Sequence, residues 1–223
     1  MMQNDSTMNA GLQRLTRFIT GTGSVIDIGA SDGHWTRLAM QHMPGYEFLL
    51  VDANKTHESA LRHLHKESGA NYKICAAGDT DGEINFFISD DVYGGSASYS
   101  EFPQENNHVV PMYKVSTLAH RHKHELPPPY ILKLDTHGFE VPILQGAVEI
   151  LEQTEAIIIE VYNFHLSEGC LTFHEMCNFL QKKGFRCVGL ADPMYRQYDD
   201  AFWQMDLFFI RSDHNAFNYI HYK

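Results

Sequence analysis

Ser24-Val25-Ile26-Asp27-Ile28-Gly29-Ala30-Ser31-Asp32-Gly33 decides the fold. A short apolar run stops at a glycine, and a second glycine opens the helical pattern Trp35, Leu38, Ala39, Met43. Strand, tight turn and helix make the first half of a β/α unit. The run carries almost no polar alternation, which predicts a strand covered on both faces, as in a parallel sheet.

The pattern repeats on either side of the sequence that follows. Tyr46 to Val51 reads as a strand ending at Asp52, Leu61 and Leu64 mark a helix, and Tyr72 to Ala77 is a third strand. Further on, Tyr130 to Leu134 runs up to Asp135, and Val141, Leu144, Ala147, Val148 and Leu151 mark a helix. Ala156 to Val161 is another buried strand, and Phe173 to Lys183 is an amphipathic helix stopped by Gly184. Phe185 to Gly189 and Met205 to Ile210 close the series, joined by a long connection without a helical pattern, which suits an antiparallel pair. The expected fold is therefore α/β and Rossmann-like: a doubly wound, mostly parallel sheet with helices on both faces and a final antiparallel strand.

Around this frame, Leu12, Leu15, Phe18 and Ile19 predict an N-terminal helix laid on the sheet as a lid. Between Asp79 and Val115 the alternation changes to a strand at Glu83–Ile88, a flexible loop at Gly94–Ser98 and an extended stretch from Val109 to Val115. That insertion is where substrate contacts are expected. With 223 residues, one domain over 1–223 is the expectation, with 1–22 as a helical extension, 79–115 as the insertion and 214–223 as a tail of no assigned role.

Composition narrows the function. A formal charge of -11 and the absence of a dense Lys/Arg run argue against nucleic acid and anionic membrane as partners. No apolar stretch approaches the roughly 18 residues of a membrane span, and the N-terminus lacks a signal-type apolar core, so a cytoplasmic location is expected. Cys75, Cys170, Cys177 and Cys187 include no CxxC pair and read as reduced thiols, not as a disulfide framework or a zinc site.

In an open parallel sheet ligands bind beyond the carboxyl ends of the strands, so the polar residues there are the candidates. The loop Gly29-Ala30-Ser31-Asp32-Gly33 reads either as a cradle for an adenosyl ligand at a helix N-terminus or as a plain tight turn. Its G-x-x-x-G spacing differs from the G-x-G-x-x-G of dinucleotide sites, which sets aside a nicotinamide-dependent oxidoreductase. Asp52 reads either as an acceptor for both hydroxyls of a ribose or as a solvated loop carboxylate. Asp135, His137 and Glu140 follow one strand, and Glu160, Tyr162 and His165 follow its neighbour. A neutral imidazole can take a hydroxyl proton near neutral pH, which makes His137 and His165 the candidate bases. His120, His122 and His124 read as a solvated face, with a metal site the lesser alternative. No metal is assigned, although the carboxylates gathered at one rim leave a magnesium requirement open.

The order of these motifs resembles the FkbM family of methyltransferases. Its most specific element is Ile131-Leu-Lys-Leu-Asp-Thr-His-Gly-Phe-Glu-Val-Pro-Ile-Leu-Gln-Gly-Ala147, similar to the family block K-x-D-x-E-G-x-E-x-x-x-L-x-G-A. Val25 to Ala30, Ala76 to Asp79, Gly95-Ser96, Val115 to Leu118, Ile158 to Val161, Asp192 to Arg196 and Gln204 to Phe209 support it. The resemblance implies S-adenosyl-L-methionine as cofactor and methylation of a hydroxyl on a sugar or natural-product acceptor, a small molecule or glycan. It implies that Asp27, Gly29, Ala30, Ser31 and Gly33 hold the amino-acid part of the cofactor, that Asp52 and Ala53 hold the ribose and that Ala76 and Ala77 lie by the adenine. Asp135 would then stand close to the transferable methyl, with His137 or His165 as base and Ser96, Glu160 and Tyr162 on the acceptor. Two positions depart from the family pattern: His137 stands where Glu is usual, and Asp52 is followed by Ala53 where Pro is usual. A noncatalytic adenosyl-binding partner of another enzyme is the alternative reading.

Overall fold

The computed structural model describes residues 5–88, 95–99, 107–120 and 126–222. Helix α1 (Met8–Leu15) leads into β1 (Gly23–Ile28), α2 (His34–His42), β2 (Tyr46–Asp52), α3 (Glu58–Ser68) and β3 (Asn71–Ile74). The chain then turns aside through β4 (Ala76–Ala77), β5 (Gly82–Ile88), β6 (Gly95–Ser98) and β7 (Asn107–Tyr113), and α4 (Val115–His120) brings it back. β8 (Tyr130–Leu134), α5 (Glu140–Gly146), α6 (Val148–Leu151), β9 (Thr154–Tyr162), α7 (Phe173–Lys182), β10 (Phe185–Tyr195) and β11 (Phe202–Arg211) complete the order.

The main sheet has seven strands in the order β10-β11-β9-β8-β1-β2-β3. β9, β8, β1, β2 and β3 are parallel, and β11 is antiparallel to both of its neighbours. Winding reverses direction between β1 and β8, so the loops leaving these two strands diverge and open a crevice at their carboxyl ends.

Strand parity divides the apolar residues between two layers. Ile26, Ile28, Leu132, Leu134, Ile157 and Ile159 pack with Leu118 of α4, Ile143 of α5, Ile150 of α6 and Leu180 of α7. Val25, Ile131, Ile158 and Phe208 pack with Leu12 of α1, Ala39 of α2 and Leu61 of α3. Each fully buried Ile or Leu contributes about 1.5–3 kcal/mol, so covering both faces is what holds the sheet. Thr7 Oγ1 caps α1 by accepting from Ala10 N at 3.3 Å, and the Asp192 carboxylate accepts from Met8 N at 3.2 Å, fixing α1 against β10.

Four local expectations change. The third strand divides at Cys75: Asn71–Ile74 joins the main sheet, while Ala76–Ala77 pairs with β7 in a second sheet of order β4-β7-β5-β6. Val115 begins a helix and does not end a strand. The helix through Val141 and Leu151 breaks at Ala147, where the backbone leaves helical geometry (φ -102, ψ 12). The long link before the last strand shrinks to 196–201, because β10 continues to Tyr195 and β11 begins at Phe202. Of the expected insertion, 89–94 and 100–106 lie outside the described residues, as do His122 and His124. Among the described residues no helix is long and apolar enough to cross a membrane.

Gly29 shows how closely the two central strands approach at the crevice. It holds φ +83, and a Cβ there would stand 1.9 Å from the Asp135 carbonyl oxygen. Backbone cannot yield as a flexible side chain can, so Gly29→Ala is expected to destabilise the fold by about 3 kcal/mol or more. Urea unfolding checks this, and an unchanged midpoint would show that the two strand ends can separate without cost.

Candidate active site

A cavity of about 520 Å³ fills the crevice. Of the residues expected to form a site, Gly29, Ala30, Ser31, Asp52, Ala53, Ala76, Ala77, Asp135, His137 and Glu160 line it. The second sheet closes one side with Phe86, Gly95 and Ala97. Asp27, Gly33, Ser96, Tyr162 and His165 are not in the wall.

Asp52 ties two loops together from the end of β2. Its Oδ2 accepts from Ser31 N at 2.6 Å, and its Oδ1 accepts from Asn54 N at 2.7 Å and from His57 Nδ1 at 3.2 Å. A carboxylate oxygen has room for a further donor, so Asp52 can hold these loops and still receive ribose hydroxyls. Asn54 and His57, both buried and both in the wall, were not foreseen. Asn54 had a legible signal, since its Oδ1 accepts from Thr56 N at 3.0 Å in the pattern of a helix cap.

Asp27 belongs beneath the site and not in it. Strand parity turns it toward α2, where its Oδ2 accepts from Thr36 Oγ1 at 2.5 Å while Oδ1 is buried with no partner among the described residues. Burial pushes its carboxyl up to about 6, against an opposing pull from Lys133. Gly33 serves conformation: it caps α2 at φ 82, and a Cβ would meet Leu64 at 2.7 Å.

The end of the cavity under β8 and β9 carries the reactive groups. His137 sits at φ 52. Its Nδ1 donates to the Gly95 carbonyl at 3.2 Å, so in the neutral ring the Nε2 lone pair is free for a proton. Nε2 stands 3.6 Å from Asp135 Oδ1 and 3.7 Å from Glu160 Oε2, too far for hydrogen bonds but close enough to stabilise an imidazolium. Asp135 Oδ2 accepts from the Lys133 ammonium at 2.8 Å. Burial alone would raise Asp135, but Lys133 overrides it and holds the carboxyl well below its usual range. Burial, with Asp135 beside it, pushes Glu160 well above the usual carboxylate range. Tyr162 reaches the site through Glu160, donating its hydroxyl to Oε2, and the Gln204 amide donates to Oε1.

His165 is taken up elsewhere. It lies exposed, with Nε2 2.9 Å from Glu175 Oε2, and Glu175 closes the capping box of α7 with Thr172. Glu140 is likewise structural, accepting from Thr136 N at 3.1 Å and Gly138 N at 3.2 Å to shape the loop that carries His137. Ser96 falls in β6 between two residues that line the cavity.

Asp135 Oδ1, His137 Nε2 and Glu160 Oε2 lie within 4.8 Å of one another, a grouping that could hold a metal ion. Lys133 already neutralises Asp135, and Glu160 is met by two neutral donors. A divalent ion would have to compete with that cation for the same carboxylate.

The residues fit an adenosyl cofactor. Ser31 Oγ and Trp35 Nε1, on two wall residues at the start of α2, are buried without partners among the described residues. Such donors are expensive to leave unmet, and a carboxylate at a helix N-terminus would complete them. Asp52 offers acceptors for a ribose, the small side chains of Ala53, Ala76 and Ala77 leave room for a flat base, and Asp135 offers charge to a sulfonium.

Comparison with known proteins agrees. The profile described as Methyltransferase FkbM domain matches residues 27–187. No curated protein matches the chain. Among solved structures, the methyltransferase FkbM from Methylobacillus flagellatus KT aligns with a TM-score of 0.56 at 15% identity, over 85% of this chain and 44% of that one. This chain therefore spans less than half of that protein. TrmK of M. capricolum, solved with S-adenosyl-homocysteine, aligns with a TM-score of 0.51 at 11% identity, over 92% of this chain and 69% of that one. A putative tRNA (m1A22) methyltransferase from Streptococcus pneumoniae aligns with a TM-score of 0.49 at 9% identity, over 95% of this chain and 71% of that one. At these identities the likeness is one of fold, and it leaves the acceptor open.

Asp27 yields a test that needs no ligand. Its carboxyl titrates at about 6 folded against an ordinary 3.8, so its contribution to stability is full below about 3.8 and is lost as pH rises through about 6. Above that pH the buried charge works against folding by up to about 3 kcal/mol. Asp27→Asn is expected to raise the melting temperature more at pH 8 than at pH 5, narrowing the difference between the two. An equal change at both would mean that Asp27 is already ionised at the lower pH.

Proposed function

The chain belongs to the FkbM family of S-adenosylmethionine-dependent methyltransferases, and on that premise we propose that it methylates a hydroxyl oxygen of a sugar or polyhydroxylated natural product. The observation that carries the reading is the His137 imidazole, with Nδ1 committed to Gly95 and Nε2 turned toward Asp135 and Glu160 at the cavity end.

When bound, S-adenosylmethionine supplies a methyl group on a positively charged sulfonium, a donor that needs no further activation. The protein's work is then alignment and removal of one proton. Ser31 and Trp35 receive the amino-acid carboxylate, Asp52 and Ala53 the ribose, and Ala76 and Ala77 flank the base. Asp135 would offer its carboxylate to the sulfonium and to the incoming hydroxyl. His137 Nε2 takes the hydroxyl proton, and the imidazolium so formed lies between two carboxyl groups. Glu160, steadied by Tyr162 and Gln204, faces the acceptor's other hydroxyls.

The charge of -11 supports an uncharged acceptor over a polyanion. Among described wall residues the only lysine or arginine is Lys133, and it is paired to Asp135. No cation there remains to receive a phosphate.

Calorimetric titration with S-adenosylmethionine and S-adenosylhomocysteine tests the premise, with NAD as control. Both adenosyl ligands are expected to bind, and at about a hundredfold excess over Kd the product should stabilise the fold by about 2.7 kcal/mol. Asp52→Ala is expected to weaken binding by at least about tenfold, the loss of a charged hydrogen-bond acceptor. Absence of binding by either adenosyl ligand would falsify the cofactor assignment.

Base catalysis makes a separate expectation. Once an acceptor is found by screening methyl glycosides and polyols for methylated product, His137→Asn should lower kcat by about a hundredfold with product affinity nearly unchanged. A variant as fast as the parent would mean that the proton leaves by another route.

A further inference from the structure

Lys133 is the only lysine or arginine buried among the described residues, and no step above uses it. It lies in β8 directly opposite Asp27 of β1, while Asp206 of β11 lies opposite Glu160 of β9. These residues form a staggered charged row across the sheet on the α2 side, and Lys133 and Glu160 of that row reach the cavity floor. The Lys133 side chain is 2% exposed, its Nζ is 2.8 Å from Asp135 Oδ2, and the Trp35 ring lies 5.6 Å away. The other Asp135 oxygen, Oδ1, is the one that faces His137 Nε2 at 3.6 Å.

A lysine so placed is a poor base or nucleophile. Burial works against its charge, yet Asp135, Asp27 and Asp206 together hold its pKa above the ordinary value. Its ammonium is a fixture, and what it fixes is a carboxylate in the cavity wall. Free of that contact, Asp135 could rotate about its side-chain bonds and point either oxygen at either neighbour.

We propose that Lys133 is a positioning residue for methyl transfer: its ammonium grips Asp135 Oδ2 at the cavity floor and so aims Oδ1 at the His137 imidazole and the acceptor hydroxyl. The consequence for turnover rests on the methyltransferase reading; the coupling of Lys133 to Asp135 does not.

Three variants of the full chain test it: Lys133→Met, which keeps the length of the stem, Asp135→Asn, and the two combined. The first readout is the infrared carbonyl stretch of protonated carboxylic acids near neutral pH. Lys133→Met is expected to gain such absorption from Asp135, which without its counter-ion takes a proton, and from Asp27 and Asp206, which the same ammonium holds down; the Asp135 band is the part that should vanish in the double variant. The groups facing Asp135 are then Glu160 and His137, and those facing the former ammonium are Asp27, Asp206 and Trp35. Product affinity by calorimetry should stay within about threefold of the parent while turnover falls about a hundredfold. The rising limb of kcat/KM against pH should move to higher pH, since Asp135 ionises later.

A Lys133→Met spectrum in this region that the added Asp135→Asn leaves unchanged overturns the proposal, and so does a loss of product affinity that matches the loss of turnover. If the single variant fails to fold because a buried charge has lost its partner, the double variant is expected to regain the fold. Failure of both would show that Lys133 acts through packing. A parent protein that binds no S-adenosylhomocysteine would end the methyltransferase reading, while the infrared comparison still decides the coupling.

Discussion

Where β1 and β8 end, Gly29 passes so close to the Asp135 carbonyl that no side chain fits between them. Asp135 N donates to the Ile28 carbonyl at 3.0 Å, while Gly29 N and Ala30 N both donate to the Val51 carbonyl at 2.9 and 3.1 Å. These bonds hold the two chains together to the last residue before they diverge. Past that point one loop must turn toward β2 and the other toward β9, and the cavity is the space they leave. Everything proposed for the site depends on this junction, because it sets Asp135, Ser31 and, through Ser31 N, Asp52 at fixed separations.

Electrostatics constrains the same place from below. Asp27, Asp135 and Asp206 surround a single lysine, and Glu160 stands beside Asp135 and Asp206. One cation can pair closely with one carboxylate, and its pull on the others only partly offsets burial; Asp27 and Asp206 are each pushed up to about 6. A donor that arrives carrying a positive charge lowers that strain on binding. Under the proposed reading, such a row of acids would favour a positively charged donor over its neutral product.

The strands were legible because each is an unbroken apolar run, and parity along them predicts two covered faces. Asp52, Asp135 and Glu160 were legible for a related reason, since each is the first acid at the carboxyl end of a parallel strand. The rule fails one residue earlier: Asp27 lies within β1, and parity turns it under the loop toward Thr36. His165 looked equivalent to His137 by distance from a strand end. What separates them is long-range: the capping acid Glu175 captures the first, and the Gly95 carbonyl of the second sheet orients the other. Trp35, His57 and Gln204 had no local signal as site residues, and Lys133 stood in the block that resembles the family pattern without a role attached. The role of Lys133 was hidden by its position inside an apolar strand, Trp35 and His57 enter the wall directly from loops and helix starts, and Gln204 reaches the site only through Glu160, distant in sequence.

The loop after β8 explains how an imidazole comes to stand at that spot. His137 and Gly138 both take positive φ, at 52 and 105, a conformation costly for the histidine. Glu140, buried at the start of α5, gathers Thr136 N and Gly138 N onto its carboxylate and so holds the strained pair in place. The family pattern that this segment resembles carries Glu where His137 stands. A carboxylate at 137 would bring a further negative charge against Asp135, with Lys133 already committed. An imidazole at the same backbone position relieves that repulsion whenever it is protonated, and it is neutral when it is ready to take a proton. The exchange therefore changes the chemistry of the rim without changing the loop that presents it.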